Sequence, residues 1–325
     1  AGDTDAEQWD DDPSELPVVW QALARQEPAV ERMMRRHIFD LSDRVSADEL
    51  ANITTGVQVE KLVHLDEWLE EMESLMQPRW LRAWWTGAER TADDLGIQIE
   101  RSGGGATKQD DLPVPQLAPI SPAFDFNALN PSAINWAKIH GATYVQQVGD
   151  DTKAAIRMSV SNATRLGLST DATARKLLKI QIGLTKQQQA SIAHYQERLA
   201  ANFPSLSPEQ RFARVKRFRD AKVRLRAMTI ARTELAFAAS EGQEEIWSDA
   251  AKQQAIDLTA MSRKWIATPG GEPTCRICQH LASLAPIPFE KSFAYGGFKG
   301  KNAPAHPNCR CTVGLVRTKK PKPKV

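Results

Sequence analysis

Apolar residues recur at three- and four-residue steps through most of this chain, the pattern of helices that each bury one side. From about Leu16 to Leu95 the pattern is helical throughout. Ser46-Ala47-Asp48-Glu49 has the form of a capping box, Ser46 accepting from the first turn and Glu49 reaching back. Between 57 and 95, Val59, Leu62, Val63, Leu65, Trp68, Leu69, Met72, Leu75 and Met76 make the stripe of one long helix or two. Pro78 predicts a kink or break in it, because proline lacks the N–H that a helix interior needs. Trp80, Trp84 and Trp85 follow at helical spacing. They are expected in the core; a protein–protein contact is the alternative use of such a group.

The pattern lapses over 101–126. Gly103-Gly104-Gly105 is followed by Pro113, Pro115, Pro119 and Pro122, a flexible piece joined to a stiff one, which is linker composition. Helices resume at Asn130-Pro131, a cap residue followed by proline at the first helical position. One helix is expected to about Val148, a second over Thr152–Leu166, and a third from Ser169 or Thr170 to Gly183. Thr185-Lys-Gln-Gln188 opens a helix to about Asn202, and Ser207-Pro208-Glu209-Gln210 opens another. This last helix carries Arg211, Arg214, Lys216, Arg217, Arg219, Lys222, Arg224 and Arg226, interleaved with Phe212, Val215, Phe218 and Leu225. It reads as a solvated basic face, with phosphate or partner contact as its functional use. A further helix is expected from about Ala227 to Ala250, its small residues allowing close packing. Met261–Ala267 and Thr312–Val316 read as strands and bracket a segment rich in cysteine. No internal repeat is evident.

A length of 325 residues allows two or three domains. Apolar content of 42% with 25% charged is ordinary for a globular chain, and a net charge of +2 excludes a polycation. The charge is unevenly placed. Asp3, Asp5, Glu7, Asp10, Asp11, Asp12 and Glu15 crowd one end; Arg317, Lys319, Lys320, Lys322 and Lys324 crowd the other. Both blocks read as solvated tails, the basic one able to touch phosphates and the acidic one a basic partner. No apolar run approaches the roughly 20 residues that span a bilayer, and an acidic start is the opposite of a secretory signal. A reducing compartment is therefore expected, where paired cysteines favour a metal over disulfides.

All four cysteines lie in the last fifth of the chain, as Cys275-x-x-Cys278 and Ala305-His306-Pro307-Asn308-Cys309-Arg310-Cys311. A C-x-x-C turn lets two sulfurs face one ion, and Pro269-Gly270-Gly271-Glu272-Pro273 supplies a turn before it. Five donors compete for four places. Cys275, Cys278, His306 and Cys309 are the first choice and Cys311 the substitute. Alternatively both Cys309 and Cys311 bind and His306 stands aside. Free packing thiols and disulfides are the competing readings. Structural zinc is favoured, because a segment such as Tyr295-Gly296-Gly297-Phe298-Lys299-Gly300 has few apolar residues to hold its shape. Nucleobase deaminases need H-x-E; here Pro307 and Asn308 follow the histidine and the order of the motifs is reversed. A metal-dependent nuclease would need a second ligand such as His280. His37, His64, His140 and His194 stand alone on helices as plain surface or core residues.

Four segments in order resemble the phage minor head proteins, or head morphogenesis proteins, related to the F protein of phage Mu. They are Ile182–Gln188 with its helix through Tyr195, Ala231-Arg232-Thr233-Glu234, Trp265 leading to Cys275-x-x-Cys278, and Pro304–Cys311. The last, with the upstream C-x-x-C, is the most specific; the resemblance covers about 131–317. It implies a virion protein inside the capsid near the portal, and in the host cytoplasm during assembly. Such a protein aids capsid assembly and DNA packaging or ejection rather than catalysing a reaction. Its implied partners are the portal protein, the major capsid or scaffolding protein, and packaged DNA, with no membrane. Arg214, Arg217, Lys222, Arg224, Lys319, Lys320, Lys322 and Lys324 are the candidate DNA contacts. The alternative is a zinc-containing nuclease or effector delivered with the genome. Arg232-Thr233-Glu234 reads more economically as a buried, capped or paired set than as a catalytic one.

The expected architecture is mainly α with a small C-terminal α+β unit. An acidic tail (1–15) precedes a helical module (16–100) and a Gly/Pro linker (101–129). A head-morphogenesis-like region (130–317) follows, with its Cys/His cluster in 265–317, and then a basic tail (318–325).

Overall fold

The computed structural model describes residues 18–46, 48–52, 56–95, 131–165, 179, 181–267 and 275–317. The acidic and basic tails, the Gly/Pro linker, most of the helix expected from Ser169 or Thr170, and the turn Pro269–Pro273 lie outside them. The fold is mostly helical with a small C-terminal sheet region, as the apolar periodicity indicates. The helices are α1 (Val18–Ala24), α2 (Glu27–Asp43), α3 (Gly56–Leu62), α4 (Leu65–Asp94), α5 (Pro131–Arg165), α6 (Lys186–Asn202), α7 (Pro208–Lys252) and α8 (Arg276–Ser283). The strands are β1 (Met261–Ile266), β2 (Ile287–Pro288), β3 (Phe293–Tyr295), β4 (Phe298–Gly300) and β5 (Thr312–Arg317).

Two expected helix breaks are absent, and Pro78, expected to kink or break its helix, does not break it. α4 runs through Pro78, α5 runs through 149–151, and α7 is one helix of 45 residues where two were expected. A proline inside a helix costs about 3 kcal/mol. Burial of neighbouring large side chains offsets it: Met76 and Trp80 are both 0% exposed, each contributing about 1.5–3 kcal/mol or more. The break between α3 and α4 comes instead at His64, whose φ of 50° is a left-handed turn. The three capping boxes form as expected, at Ser46/Glu49, Thr185/Gln188 and Ser207/Gln210.

The chain divides into two compact units, interleaved in sequence. Among the described residues, the first gathers 29–46, 48–52, 56–76, 139–165, 179 and 181–229; the second gathers 18–28, 77–95, 131–138, 230–267 and 275–317. In the first unit the core comprises Met34, Ile38 and Leu41 of α2, Val59 and Val63, Trp68 and Met72 of α4, and Ile192 of α6. Trp68 stacks on His37 at 4.6 Å. Its indole N–H donates to the His37 carbonyl, and His37 Nε2–H donates to the Trp68 carbonyl. Two cations of the basic stretch are not on the surface. Arg219 lies over the Phe39 ring and donates to Ser42 Oγ at 3.0 Å. Arg226 donates to the Gly183 carbonyl and to Thr152 Oγ1.

In the second unit, α4 and α7 cross at glycine. A Cβ on Gly87 would run into the Ala239 carbonyl, and one on Gly242 into the Trp84 carbonyl. Only a residue without a side chain permits this approach. Trp80, Trp84 and Trp85 are buried, the core outcome, and Trp80 Nε1–H donates to Glu234 Oε2 at 3.0 Å. The antiparallel sheet has the order β2-β1-β5, with Trp265 opposite Val313; β3 and β4 form a separate hairpin. Alternation along β1 puts Arg263 and Trp265 on one face, both buried. Trp265 joins Trp247, Leu281, Phe289, Phe293 and Val313 in an apolar cluster that also contains Cys278, Cys309 and Cys311. Arg263 is 0% exposed. Its guanidinium forks onto Glu244 at 2.7 and 2.8 Å, donates to the Asn302 Oδ1 and Phe289 carbonyl oxygens, and lies 3.9 Å above the Phe289 ring. Helix α8 and strands β2 to β4 were not foreseen. Each is short, and α8 takes its start from a cysteine rather than from a usual cap residue.

Candidate metal centre

Cys275 is the N-cap of α8, and its sulfur accepts the Cys278 N–H at 3.4 Å. A thiolate suits that position, because the first-turn N–H groups and the helix dipole favour negative charge. One turn later Cys278 points the same way and is 2% exposed. The opposite end of α8 is held by Lys264 of β1, which donates to the carbonyls of Ala282 and Leu284 at 2.7 and 2.5 Å. The helix that presents the two sulfurs is thus fixed at both ends.

The second arm is the loop before β5. Cys309 N–H donates to the His306 carbonyl at 3.2 Å, and Asn308 takes a left-handed φ of 65°, a conformation asparagine tolerates better than most. This tight turn aims His306 and Cys309 at α8. His306 Nε2 lies 3.0 Å from Cys275 Sγ and 3.2 Å from Cys278 Sγ, and Cys278 Sγ lies 3.6 Å from Cys309 Sγ. Two donor triads result, Cys275/Cys278/His306 and Cys278/Cys309/Cys311, with Cys278 common to both. The five residues form one cluster able to hold a metal ion. Sulfurs about 2.3 Å from a tetrahedral ion stand about 3.8 Å apart; the Cys278–Cys309 separation is close to this, and the two contacts of His306 Nε2 are shorter.

The electrostatics fit a cation. Hydrogen bonds from Cys278 and Cys311 hold the Cys309 thiol far below its ordinary range, and the same contact pushes Cys278 far above it. The two sulfurs thus share a proton between them. Burial pushes the Cys275 thiol up, but the Cys278 N–H and the His306 imidazole outweigh it and leave Cys275 below its usual value. The Cys309 sulfur raises His306 to about 9 against the opposing effect of burial. His306 Nδ1–H donates to the Pro307 carbonyl at 2.7 Å, so Nε2 is the nitrogen that faces the sulfurs. Without an ion its proton neutralises them; an ion would replace that proton.

Residues outside the motif hold the loop in place. Asn308 N–H donates to Thr233 Oγ1 of α7 at 3.1 Å. Glu27 accepts from both Arg232 and Arg310 at 3.3 Å. Trp20 Nε1–H donates to the Cys311 carbonyl at 3.3 Å. Arg232 and Glu234 are 2% and 5% exposed, and both are paired, Arg232 with Glu27 and Glu234 with Trp80. That is the economical reading of this set. Glu27 and Trp20 escaped the sequence reading. Each lies some 280 residues or more from its partner in the loop, and no local pattern signals such a pairing.

The other candidates separate from this cluster. His280 stacks on Tyr295 at 3.7 Å and belongs to neither triad. His37, Asp40 and Glu71 of the first unit also approach one another, but Arg44 donates to both carboxylates at 2.8 and 2.5 Å and already serves as their cation. Of the proposed DNA contacts, Arg214, Arg217 and Arg224 are exposed, and steps of three and seven put them on one face of α7. Lys222 is half-buried, its ammonium 4.9 Å above the Phe218 ring. Lys319, Lys320, Lys322 and Lys324 lie outside the described residues. Among the described residues no helix is long and apolar enough to cross a membrane. No protein-family model, curated protein or solved structure matches this chain.

Proposed function

We propose that this chain is a phage virion minor head protein that docks near the portal, and that its Cys/His cluster is a structural zinc site. The observation that carries the reading is the convergence of three resemblance segments in one unit. Thr233 holds Asn308, Arg232 shares Glu27 with Arg310, and Trp265 packs into the cluster containing Cys278 and Cys309. Segments far apart in sequence thus act as one motif, which is what a family signature built for structure requires.

Zinc is favoured by the donor set. Three or four thiolates and one imidazole, largely buried, suit its tetrahedral preference, and a fully coordinated ion leaves no open position for substrate. Cys275, Cys278 and His306 would hold it with Cys309, Cys311 substituting. Bound there, zinc supplies cross-linking and charge neutralisation. Docking is the mechanism. Buried residues Trp80, Trp84 and Trp85 are spent on the core, so the exposed Arg214/Arg217/Arg224 face is the better candidate for a partner, packaged DNA included.

Two measurements test this reading. Purified full-length chain carries about one zinc per molecule by elemental analysis; metal-free, folded chain indifferent to chelator sinks the zinc assignment. Co-purification with portal protein at a fixed ratio, and presence in purified virions, supports the docking role; absence from virions overturns it.

A further inference from the structure

The five donors are not equivalent in their access to solvent. Cys278, Cys309 and Cys311 are 2%, 2% and 5% exposed, whereas Cys275 is only partly covered. Cys275 begins a helix and accepts the Cys278 N–H, and its sulfur lies within 4.8 Å of the Cys278 sulfur. A partly exposed cysteine at a helix N-terminus with a buried one a turn behind it is an arrangement that divides labour. An oxidant reaches the first sulfur, and the second lies ready to resolve the product. Structural stapling alone gives no reason for that asymmetry.

We propose that Cys275 and Cys278 form a hydroperoxide-responsive dithiol whose oxidation releases the metal; the metal half of this inference rests on the zinc reading above. The chemistry closes without a further reactant. The Cys275 sulfur attacks one peroxide oxygen, an S–O bond forms, the O–O bond breaks, and the leaving hydroxide is protonated to water. The Cys278 sulfur then attacks the Cys275 sulfenic acid. An S–S bond forms, the S–O bond breaks, and a second water leaves. Two thiols lose two electrons and hydrogen peroxide gains them. The disulfide withdraws both ligands contributed by α8. His306, Cys309 and Cys311 remain, all on one loop of six residues, and that loop loses its cross-link to α8. A dithiol reductant reverses the change.

The competing disulfides are Cys278–Cys309, whose sulfurs are 3.6 Å apart, and Cys309–Cys311. Neither contains a solvent-reachable sulfur. The test starts from full-length chain of measured zinc content. Hydrogen peroxide is added near stoichiometry beside a chromogenic zinc indicator, and the product is mapped by peptide mass. The expected result is release of about one equivalent of zinc together with a mass loss of roughly 2 Da in the peptide spanning Cys275 and Cys278, both reversed by dithiothreitol. Cys278→Ser stops the reaction at a dimedone-trapped sulfenic acid on Cys275. Zinc retained after the thiols have oxidised, or a disulfide mapped to Cys278–Cys309 or Cys309–Cys311, overturns the proposal. If the chain carries no zinc at the outset, the zinc reading fails by itself; mapping the same disulfide in that reduced, metal-free chain still decides the dithiol.

Discussion

Two regions of the second unit are closed by opposite means. Where α4 crosses α7, the backbones meet at Gly87 and Gly242, and Ala83, Ala88, Ala236, Ala238 and Ala239 are buried. Stability there comes from close contact of small groups and from buried tryptophan. The lobe from Met261 to Arg317 has strands of two to six residues and one helix of eight. Its apolar cluster is small, and charge does the joining: Arg263 on Glu244, Arg232 and Arg310 on Glu27, and five metal donors. A crossing of the first kind tolerates changes of solvent chemistry and does not tolerate a methyl group. A lobe of the second kind depends on solvent chemistry instead.

Chelating the proposed zinc would separate the two regions most sharply. Structural zinc in small peptides contributes on the order of 10 kcal/mol of folding free energy, so strong chelator should unfold the lobe while the crossing survives. The near-ultraviolet circular dichroism of Trp247 and Trp265 should vanish while the far-ultraviolet helical signal largely persists. Identical near-ultraviolet spectra with and without chelator would remove the distinction.

Arg263→Met is the next largest test. Breaking a buried ion pair on one side costs about 3–5 kcal/mol, because the partner charge is left uncompensated. Glu244 makes the effect depend on pH. Burial pushes its carboxyl up, but Arg263 and Asn302 overcome this and hold it below the ordinary 4.5. In the parent chain its stabilisation is therefore complete above about pH 4.5 and is lost as pH falls through the lower folded value. In Arg263→Met burial is opposed only by the Asn302 amide and Lys301, the carboxyl rises relative to the parent chain, and the loss of stability as pH falls becomes shallower. Urea denaturation at several pH values reads both slopes, and parallel slopes would contradict this account of the pair.

Gly242→Ala probes the crossing itself. The added Cβ meets the Trp84 carbonyl, and backbone cannot yield as a side-chain tip can. Overpacking of this kind costs about 1–3 kcal/mol, against a gain of under about 1 kcal/mol from replacing glycine in a helix. The loss should be the same with and without chelator. A larger loss in the metal-free chain would mean that crossing and lobe are not separately built.

These contrasts bear on what could be read from residues alone. C-x-x-C and H-x-x-C-x-C announced the cluster, because metal ligation imposes local spacing. The three capping boxes announced helix starts for the same reason, since a cap is satisfied within four residues. Pro78 was read as a kink or break and the change of composition near 227 as a helix end, yet both helices continue, and the compact units divide close by, at Met76/Gln77 and Thr229/Ile230. Composition there marks a change of surroundings rather than of backbone. β1 was legible as a strand, but the full burial of Arg263 was not. An arginine in a strand looks solvated until Glu244, Asn302 and Phe289 are seen around it. Glu27 as the anion between Arg232 and Arg310 was equally hidden, since pairings over such separations are set by tertiary packing.

Thr233→Val is the smallest change and tests the join between the two modes. Thr233 belongs to α7, the crossing helix, yet its hydroxyl accepts the N–H of Asn308 in the metal loop. Valine keeps the shape and β-branching while removing the acceptor. A part-buried N–H left without its partner costs about 1 kcal/mol, and valine has nearly the same helix propensity as threonine. The loss should therefore fall on the loop. Metal affinity should drop about fivefold by competition with a coloured chelator, the equivalent of that 1 kcal/mol, and hydrogen exchange should speed up at Asn308 and Cys309. Exchange along α7 around Ala238 and Ala239 should stay as it was. If protection falls equally along α7, the hydroxyl supports the helix rather than the loop, and the Thr233–Asn308 contact does not link the close-packed crossing to the charge-joined lobe.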